Sequence, residues 1–163
     1  MKNSISLIGM AGSGKTTIGM KLSEILNLSF SDSDNVIETK YGETLQSILD
    51  SEGYMSLRAI EENVILSIKI DHVVLATGGS AVYSTKAMEY LKMNSLIIFL
   101  EVPFDQILER VPSFLDRGFA KEPNQSIEDA FLERQSLYAN YADHIIVNTE
   151  SIDSCVSRIL NLL

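Results

Sequence analysis

The stretch that most constrains this chain spans residues 9–17, which read Gly-Met-Ala-Gly-Ser-Gly-Lys-Thr-Thr and match the pattern G-x-x-x-x-G-K-[ST]. A short, mostly apolar run precedes this stretch, and a helical pattern follows it to about Asn27. A strand, a loop and a helix in this order form a phosphate site, because backbone N–H groups and a helix N-terminus both favour anions. The sequence therefore predicts nucleotide binding by Gly12, Ser13, Gly14, Lys15, Thr16 and Thr17.

Two side chains of this loop have separate expected roles. Lys15 is placed to reach the β- and γ-phosphates of ATP, and the hydroxyl of Thr16 is placed to bind Mg²⁺. The alternative is a chance lysine in a glycine-rich turn, and the flanking strand and helix argue against it. We therefore expect ATP as the co-substrate and Mg²⁺ as the metal.

The composition limits the kind of partner. The chain has 163 residues, of which 45% are hydrophobic, so it can bury the core of one domain spanning residues 1–163. The net charge of −9 argues against nucleic acid or an anionic membrane as a partner, because both bind basic surfaces. A single cysteine excludes an internal disulfide, and no apolar run approaches the roughly 18 to 20 residues of a membrane span. We expect a cytoplasmic protein.

Five short β-rich segments alternate with helical patterns, at residues 4–8, 28–31, 73–76, 96–100 and 144–147. The third and fourth segments are continuously apolar, which is typical of parallel strands covered on both faces. The sequence therefore predicts an α/β P-loop fold in three layers, with a five-stranded parallel sheet flanked by helices. Ligands of such folds bind beyond the carboxyl ends of the strands. Residues 111–126 contain two prolines and a glycine, and we interpret them as a mobile lid.

Asp32 and Asp34 follow the second strand, at the edge of the sheet where the phosphate loop opens. In an extended chain the two carboxylates share a face. One is suited to binding magnesium, and the other to holding an acceptor hydroxyl for phosphoryl transfer. The alternative is that Asp34 caps a helix that begins at Asn35.

The chain has five arginines, and four of them are candidates for binding phosphate or carboxylate: Arg58, Arg110, Arg117 and Arg134. The alternative for Arg58 is a helical ion pair with Glu61 or Glu62. The alternative for the other three is a solvated surface position. Gly78 and Gly79 follow the third strand, where a ligand can approach the backbone closely or the chain simply turns.

Together these motifs resemble the shikimate kinase family over nearly the whole chain. The resemblance rests on the phosphate loop, Phe30-x-Asp32-x-Asp34, Leu57-Arg58-x-x-Glu61, Gly78-Gly79 and Glu133-Arg134-x-x-Leu137-Tyr138. It implies a nucleoside-monophosphate-kinase-like fold, a monomer, and transfer of the γ-phosphoryl group of ATP to the 3-hydroxyl of shikimate. Residues 32–61 would form the acceptor-binding segment.

The resemblance also assigns the nucleotide and metal ligands. Lys15 and Thr16 become ligands of phosphate and Mg²⁺, and Asp32 supports the metal. Arg110 would lie along the adenine, and Arg117 would reach from the lid onto the phosphates as a catalytic residue.

On the acceptor side, the resemblance makes Asp34 the catalytic partner of the acceptor hydroxyl, either as a base or as an aligning group. Arg58 and Arg134 would bind the shikimate carboxylate. The Gly78-Gly79 backbone would contact the ring.

The chain departs from the family pattern at two places. The family usually has Arg-Pro-Leu-Leu in the lid, where this chain has Asp116-Arg117-Gly118-Phe119, and it usually has a third glycine at the position of Ser80. Two alternatives therefore remain: a P-loop kinase of another small acceptor, such as gluconate or a nucleoside monophosphate, and a non-catalytic nucleotide-binding regulatory domain.

Overall fold

The computed structural model describes residues 2–163 and contains one five-stranded parallel sheet. Its strands lie in the order β2-β3-β1-β4-β5, and every neighbouring pair is parallel. The strands are β1 (Ile5–Ile8), β2 (Ser29–Asp32), β3 (Val73–Ala76), β4 (Leu96–Glu101) and β5 (His144–Val147). The predicted fold class is confirmed, and the strand bounds differ from the prediction by at most one residue at any end.

Eight α-helices connect or cover these strands in the described part of the chain. They are α1 (Lys15–Leu26), α2 (Ser33–Tyr41), α3 (Leu45–Glu52), α4 (Tyr54–Ser67), α5 (Thr85–Asn94), α6 (Phe104–Arg110), α7 (Ile127–Tyr141) and α8 (Ile152–Leu160). Single turns of 3-10 helix occur at Ala81–Tyr83 and Phe114–Asp116. None of the helices in residues 2–163 is long and apolar enough to cross a membrane.

The two faces of the sheet bury alternating side chains of the same strands. In β4, Ile97 and Phe99 pack with α5 and α7, whereas Ile98 and Leu100 pack with α1 and α8. Both faces are therefore dry, which explains why the central strands are continuously apolar. Truncating such a side chain, for example Phe99, to alanine typically costs about 3 to 5 kcal/mol of folding free energy.

A third apolar cluster joins α2, α3 and α4 outside the sheet. It contains Ile37, Ile48, Leu57 and Val64, and Ala120 of the lid packs into it. This cluster holds α2, α3 and α4, which contain the predicted acceptor-binding segment, beside the carboxyl ends of β1, β2 and β3. The same edge of the sheet carries the phosphate loop, so both predicted binding regions face one another.

Candidate active site

The phosphate loop connects β1 to α1, and Lys15 is the first residue of that helix. Lys15 Nζ donates to the carbonyl oxygens of Gly9 and Met10, each at 2.7 Å, so the amine is folded back onto its own loop. Burial lowers the pKa of Lys15 to about 8, and the charges of Asp34 and Asp32 act in the opposite direction. The loop thus holds a buried cation that can exchange backbone carbonyls for phosphate oxygens.

The outer side of the loop is held by Asn148, a buried residue just after β5. Its Nδ2 donates to Ser13 O at 2.8 Å. Arg110 donates from Nη2 to Asn148 O at 2.8 Å and from Nη1 to Gly12 O at 3.3 Å. Arg110 therefore lies at the outer edge of the phosphate loop. Ser13, which the motif predicts as a nucleotide-binding residue, is fully buried, donates its own N–H to Met10 O, and does not line the cavity beside the loop.

Thr16, in the first turn of α1, contacts Asp32, the last residue of β2. Thr16 Oγ1 donates to Asp32 Oδ2 at 2.7 Å, and Asp32 Oδ1 accepts from the backbone N–H of Asp34 at 3.0 Å. Asp32 is thus the N-cap of α2, and Asp34 stands in its first turn. The prediction that both carboxylates share the face of an extended chain was wrong, because helix α2 begins at Ser33, and so was the alternative that Asp34 is the cap.

This pair suits the expected metal. Mg²⁺ in phosphoryl-transfer sites is generally held by one or two carboxylates and by substrate phosphates, and it prefers hard oxygen ligands. Thr16 and Asp32 bring a hydroxyl and a carboxylate oxygen within 2.7 Å of each other beside the phosphate loop. Within residues 2–163 no three His, Cys, Asp or Glu side chains form a metal site of their own. The Thr16 hydroxyl and the Asp32 carboxylate therefore fit a magnesium ion that is also bound by substrate phosphates.

Two adjoining cavities open at this edge of the sheet. The nucleotide cavity is lined by Gly12, Gly14, Lys15, Thr16, Thr17, Asp32, Asp34 and Arg117, among others. The acceptor pocket is lined by Asp34, Leu57, Glu61, Gly78, Gly79, Ser80, Arg117, Phe119, Ala120 and Arg134, among others. Asp34 and Arg117 line both cavities, so they mark the boundary between the two.

Asp34 and Glu61 bring two carboxylates into the wall of the acceptor pocket. Burial, together with the like charges of Glu61 and Asp32, raises the pKa of Asp34 to about 7, against the opposing effect of Lys15. Burial also raises the pKa of Glu61. Gly78 is the point where both carboxylates converge, since a Cβ there would overlap Glu61 Oε1 and would lie 2.6 Å from Asp34 Oδ1. Glycine at position 78 therefore leaves room for both carboxylates in these positions.

Arg58 and Arg134 converge on the lid. Their Nη2 groups donate to the same oxygen, the carbonyl of Ala120, at 3.1 and 2.6 Å. Both Nε groups are buried and have no hydrogen-bond partner. Arg134 is fully buried in the pocket wall, whereas Arg58 lies outside that wall, in contact with the Ala120 carbonyl. Burial lowers the pKa of Arg58, and the like charge of Arg134 adds to this effect. The predicted alternative of a helical ion pair between Arg58 and Glu61 or Glu62 is not observed in the described residues.

Both departures from the family pattern have a structural role. The Ser80 hydroxyl donates to Glu61 Oε2, so the residue that replaces a glycine supplies a hydrogen bond to a buried carboxylate. Gly118 has φ of +68°, a Cβ there would overlap Leu45, and its N–H donates to Gln46 Oε1 at 2.8 Å. Proline fixes φ near −65° and has no N–H, so this lid backbone excludes proline at position 118.

Several residues of the site were not identified as functional from the sequence. Glu61 was weighed chiefly as a helical ion-pair partner of Arg58. Tyr83 gave no signal, and Tyr138 entered only as part of the Glu133-Arg134-x-x-Leu137-Tyr138 motif, without a role of its own. The centre of the Tyr83 ring lies 3.7 Å from the Arg58 guanidinium carbon, and the Tyr138 hydroxyl donates to Gly79 O at 2.5 Å. Asn148 gave a weak signal, as a polar residue directly after a strand of a parallel sheet.

Comparisons with known proteins agree with this geometry. The family model described as shikimate kinase matches residues 11–163. Shikimate kinase of Colwellia psychrerythraea is 37% identical over 153 residues, covering 91% of this chain and 88% of the relative. Shikimate kinase of Clostridium botulinum (strain Eklund 17B) is 36% identical over 164 residues, covering 100% and 98%.

A solved structure gives the same result. Shikimate kinase from Acinetobacter baumannii in complex with shikimate superposes with a TM-score of 0.87 at 33% identity, covering 98% of this chain and 91% of that chain. The resemblance inferred from the motifs is confirmed. The chain belongs to the shikimate kinase family of ATP-dependent kinases.

Proposed function

We propose that this chain transfers the γ-phosphoryl group of ATP to the 3-hydroxyl of shikimate, giving shikimate 3-phosphate and ADP. The observation that carries the proposal is the shared wall of the two cavities. Asp34 and Arg117 line both the nucleotide cavity and the acceptor pocket, and a buried guanidinium, that of Arg134, lies in the wall of the latter. This arrangement suits an acceptor with a carboxylate at one end and a hydroxyl at the other.

The nucleotide side stabilises the charge of the transferred group. Lys15 would contact the β- and γ-phosphates, and Thr16 with Asp32 would hold a magnesium ion, which would neutralise phosphate charge. Arg117 adds a second positive charge from the lid. Phosphoryl transfer depends mainly on positioning and electrostatic stabilisation, so these groups supply most of the rate acceleration.

The acceptor side orients the attacking oxygen. Asp34 accepts a hydrogen bond from the acceptor hydroxyl, and its pKa of about 7 allows it to receive that proton as the new O–P bond forms. Arg134 binds the acceptor carboxylate through its unpartnered donor, and Arg58 contributes a second positive charge beside it. Glu61 and the Gly78-Gly79 backbone bind the remaining hydroxyl groups of the ring.

ADP release from purified protein with ATP and magnesium tests the proposal. Shikimate is compared with quinate, gluconate and nucleoside monophosphates as acceptors. We expect stimulation by shikimate, and its loss in Arg134→Lys, which keeps the charge but removes the planar donor. Stimulation by a different acid would assign the pocket to another small acceptor. Tight ATP binding with no stimulation by any acceptor would support the regulatory alternative.

A further inference from the structure

Arg134 in the wall of the acceptor pocket and Arg58 just outside that wall belong to one stack of alternating rings and guanidinium groups. The Arg58 guanidinium carbon lies 5.0 Å from the ring centre of Tyr54 and 3.7 Å from that of Tyr83. The Arg134 guanidinium carbon lies 5.4 Å from Tyr83 and 4.0 Å from Phe119. All four distances are within the range of cation–π attraction. The stack runs from the first turn of α4, through the 3-10 turn after β3, to the lid.

The lid end of this stack makes two kinds of contact with the arginines. The Phe119 ring covers the Arg134 guanidinium, and the next residue, Ala120, accepts hydrogen bonds from both Arg58 and Arg134. Phe119 and Ala120 are both buried. Cation–π contacts are strongest when the pair is removed from water, so the two arginines add to the apolar packing of Phe119 against Phe114 and of Ala120 against the α2–α3–α4 cluster in attaching this short piece of lid.

The same two cations are undersatisfied. In residues 2–163 neither guanidinium forms an ion pair with a carboxylate, and each keeps a buried Nε–H without a partner. Two like charges thus converge on one neutral carbonyl, and their repulsion opposes closure of the lid. A carboxylate on the acceptor offsets this repulsion, because it neutralises charge and takes up the free donors.

We infer that Phe119, together with the Ala120 carbonyl, is a latch through which the acceptor-binding arginines hold the lid closed. In this proposal, which rests on the proposed function, Phe119 is a positioning residue: it touches Arg134 and not the reacting atoms. Binding of the acceptor carboxylate tightens the arginine pair, the arginines fix the lid, and the closed lid keeps water away from the γ-phosphate. The latch therefore couples acceptor binding to protection of ATP.

The test compares Phe119→Leu with Phe131→Leu. Phe131 is a matched control, because it is also buried and paired with another ring, Phe104 at 5.0 Å, and no arginine stacks on it. Trypsin reports on the lid directly, since cleavage after Arg117 or Lys121 requires the lid to open. We expect F119L without any acceptor to be cut about threefold to tenfold faster than wild type, and F131L to be cut at the wild-type rate.

A second measurement follows turnover. We expect shikimate to slow lid cleavage in wild type and to do so much less in F119L. We also expect F119L to raise the KM for shikimate about threefold to tenfold and to increase ADP release without acceptor, while the KM for ATP stays within twofold. Thermal unfolding is recorded for each variant. If F119L unfolds at a clearly lower temperature than F131L, Phe119→Met replaces it in the comparison.

These measurements distinguish failure of the latch from failure of the proposed acceptor. If F119L and wild type are cut equally fast without acceptor, the latch is wrong, whatever the acceptor is. If shikimate neither stimulates ADP release nor slows cleavage of the wild-type lid, the proposed acceptor is wrong, and the acceptor-free comparison of F119L with F131L still decides the latch.

Discussion

Ser80 Oγ donates a hydrogen bond to Glu61 Oε2 inside the wall of the acceptor pocket. Both residues are buried, and Glu61 Oε1 has no hydrogen-bond partner among residues 2–163, so the Ser80 hydroxyl provides the side-chain hydrogen bond that this carboxylate receives there. Ser80→Ala leaves that carboxylate undersatisfied, which costs about 1 to 3 kcal/mol. We expect this loss in the free energy of unfolding, measured by urea denaturation at pH 7.5.

The control for that variant is Ser47→Ala. Ser47 Oγ also donates to a glutamate, Glu43 Oε2 at 2.8 Å, but this pair is exposed to solvent. Water replaces the lost bond there, so we expect a change within about 0.5 kcal/mol. Equal losses of unfolding free energy in the two variants would show that the buried Ser80–Glu61 hydrogen bond stabilises the fold no more than the exposed Ser47–Glu43 bond does.

The pH dependence of stability reports on Glu61. Burial raises the pKa of this carboxyl above its ordinary value of 4.5, so the folded protein holds the proton more tightly than the unfolded chain does. Stability contributed by the protonated form is therefore present below pH 4.5 and is lost as the pH rises through the folded pKa. Glu61→Gln removes this pH-dependent loss of stability, because glutamine does not titrate. We expect the stability of E61Q relative to wild type to increase between pH 4 and pH 8, and a constant difference across that range would contradict the assignment.

Lys15→Met tests the charge of the phosphate loop. The Lys15 amine is buried and points toward the loop, so the variant removes a preorganised cation with little change in volume. We expect the turnover rate to fall about a hundredfold or more, as for the loss of one charge-stabilising donor. Lys21→Met, on the exposed side of the same helix, pairs only with Asp153 and serves as control. Full turnover by K15M would rule out the proposed role.

Asp32→Asn separates two tasks of one side chain. Asp32 caps α2 and also receives the Thr16 hydroxyl, which places it at the expected magnesium position. Asparagine caps a helix as well as aspartate does, so we expect an unchanged melting temperature. The lost negative charge weakens metal binding, and we expect the magnesium concentration for half-maximal activity to rise about tenfold or more. If D32N instead melts at a lower temperature and keeps its magnesium requirement, Asp32 is only a cap.

Local signals were sufficient to predict the fold and the phosphate loop. The apolar runs of β3 and β4 identified buried parallel strands because both faces of each strand are covered. Lys15 and Thr16 lie in a strand–loop–helix unit, as the contiguous motif predicts, and both belong to the first turn of α1. The positions of Asp32 as the N-cap of α2 and of Asp34 in its first turn were not predicted. Whether these residues continue the strand or begin a helix depends on where α2 starts, which no local motif fixes.

Contacts between distant segments could not be predicted in this way. Arg58, Tyr83, Phe119 and Arg134 lie on α4, the 3-10 turn after β3, the lid and α7, and the packing of α4 and α7 against that turn brings them together. Each residue on its own is compatible with a solvated position. The stack is a property of the tertiary structure, which no local pattern specifies.

The hydrogen bond from the Asp34 backbone N–H to the Asp32 carboxylate joins two residues in one turn of backbone. Asp32 is the proposed metal ligand, and Asp34 is the proposed partner of the acceptor hydroxyl. If the magnesium–nucleotide complex changes the affinity for the acceptor by shifting this turn, the acceptor must change the affinity for the nucleotide by the same factor. The affinities of the two substrates are therefore thermodynamically linked. A titration of either substrate in the presence of the other measures the same coupling constant.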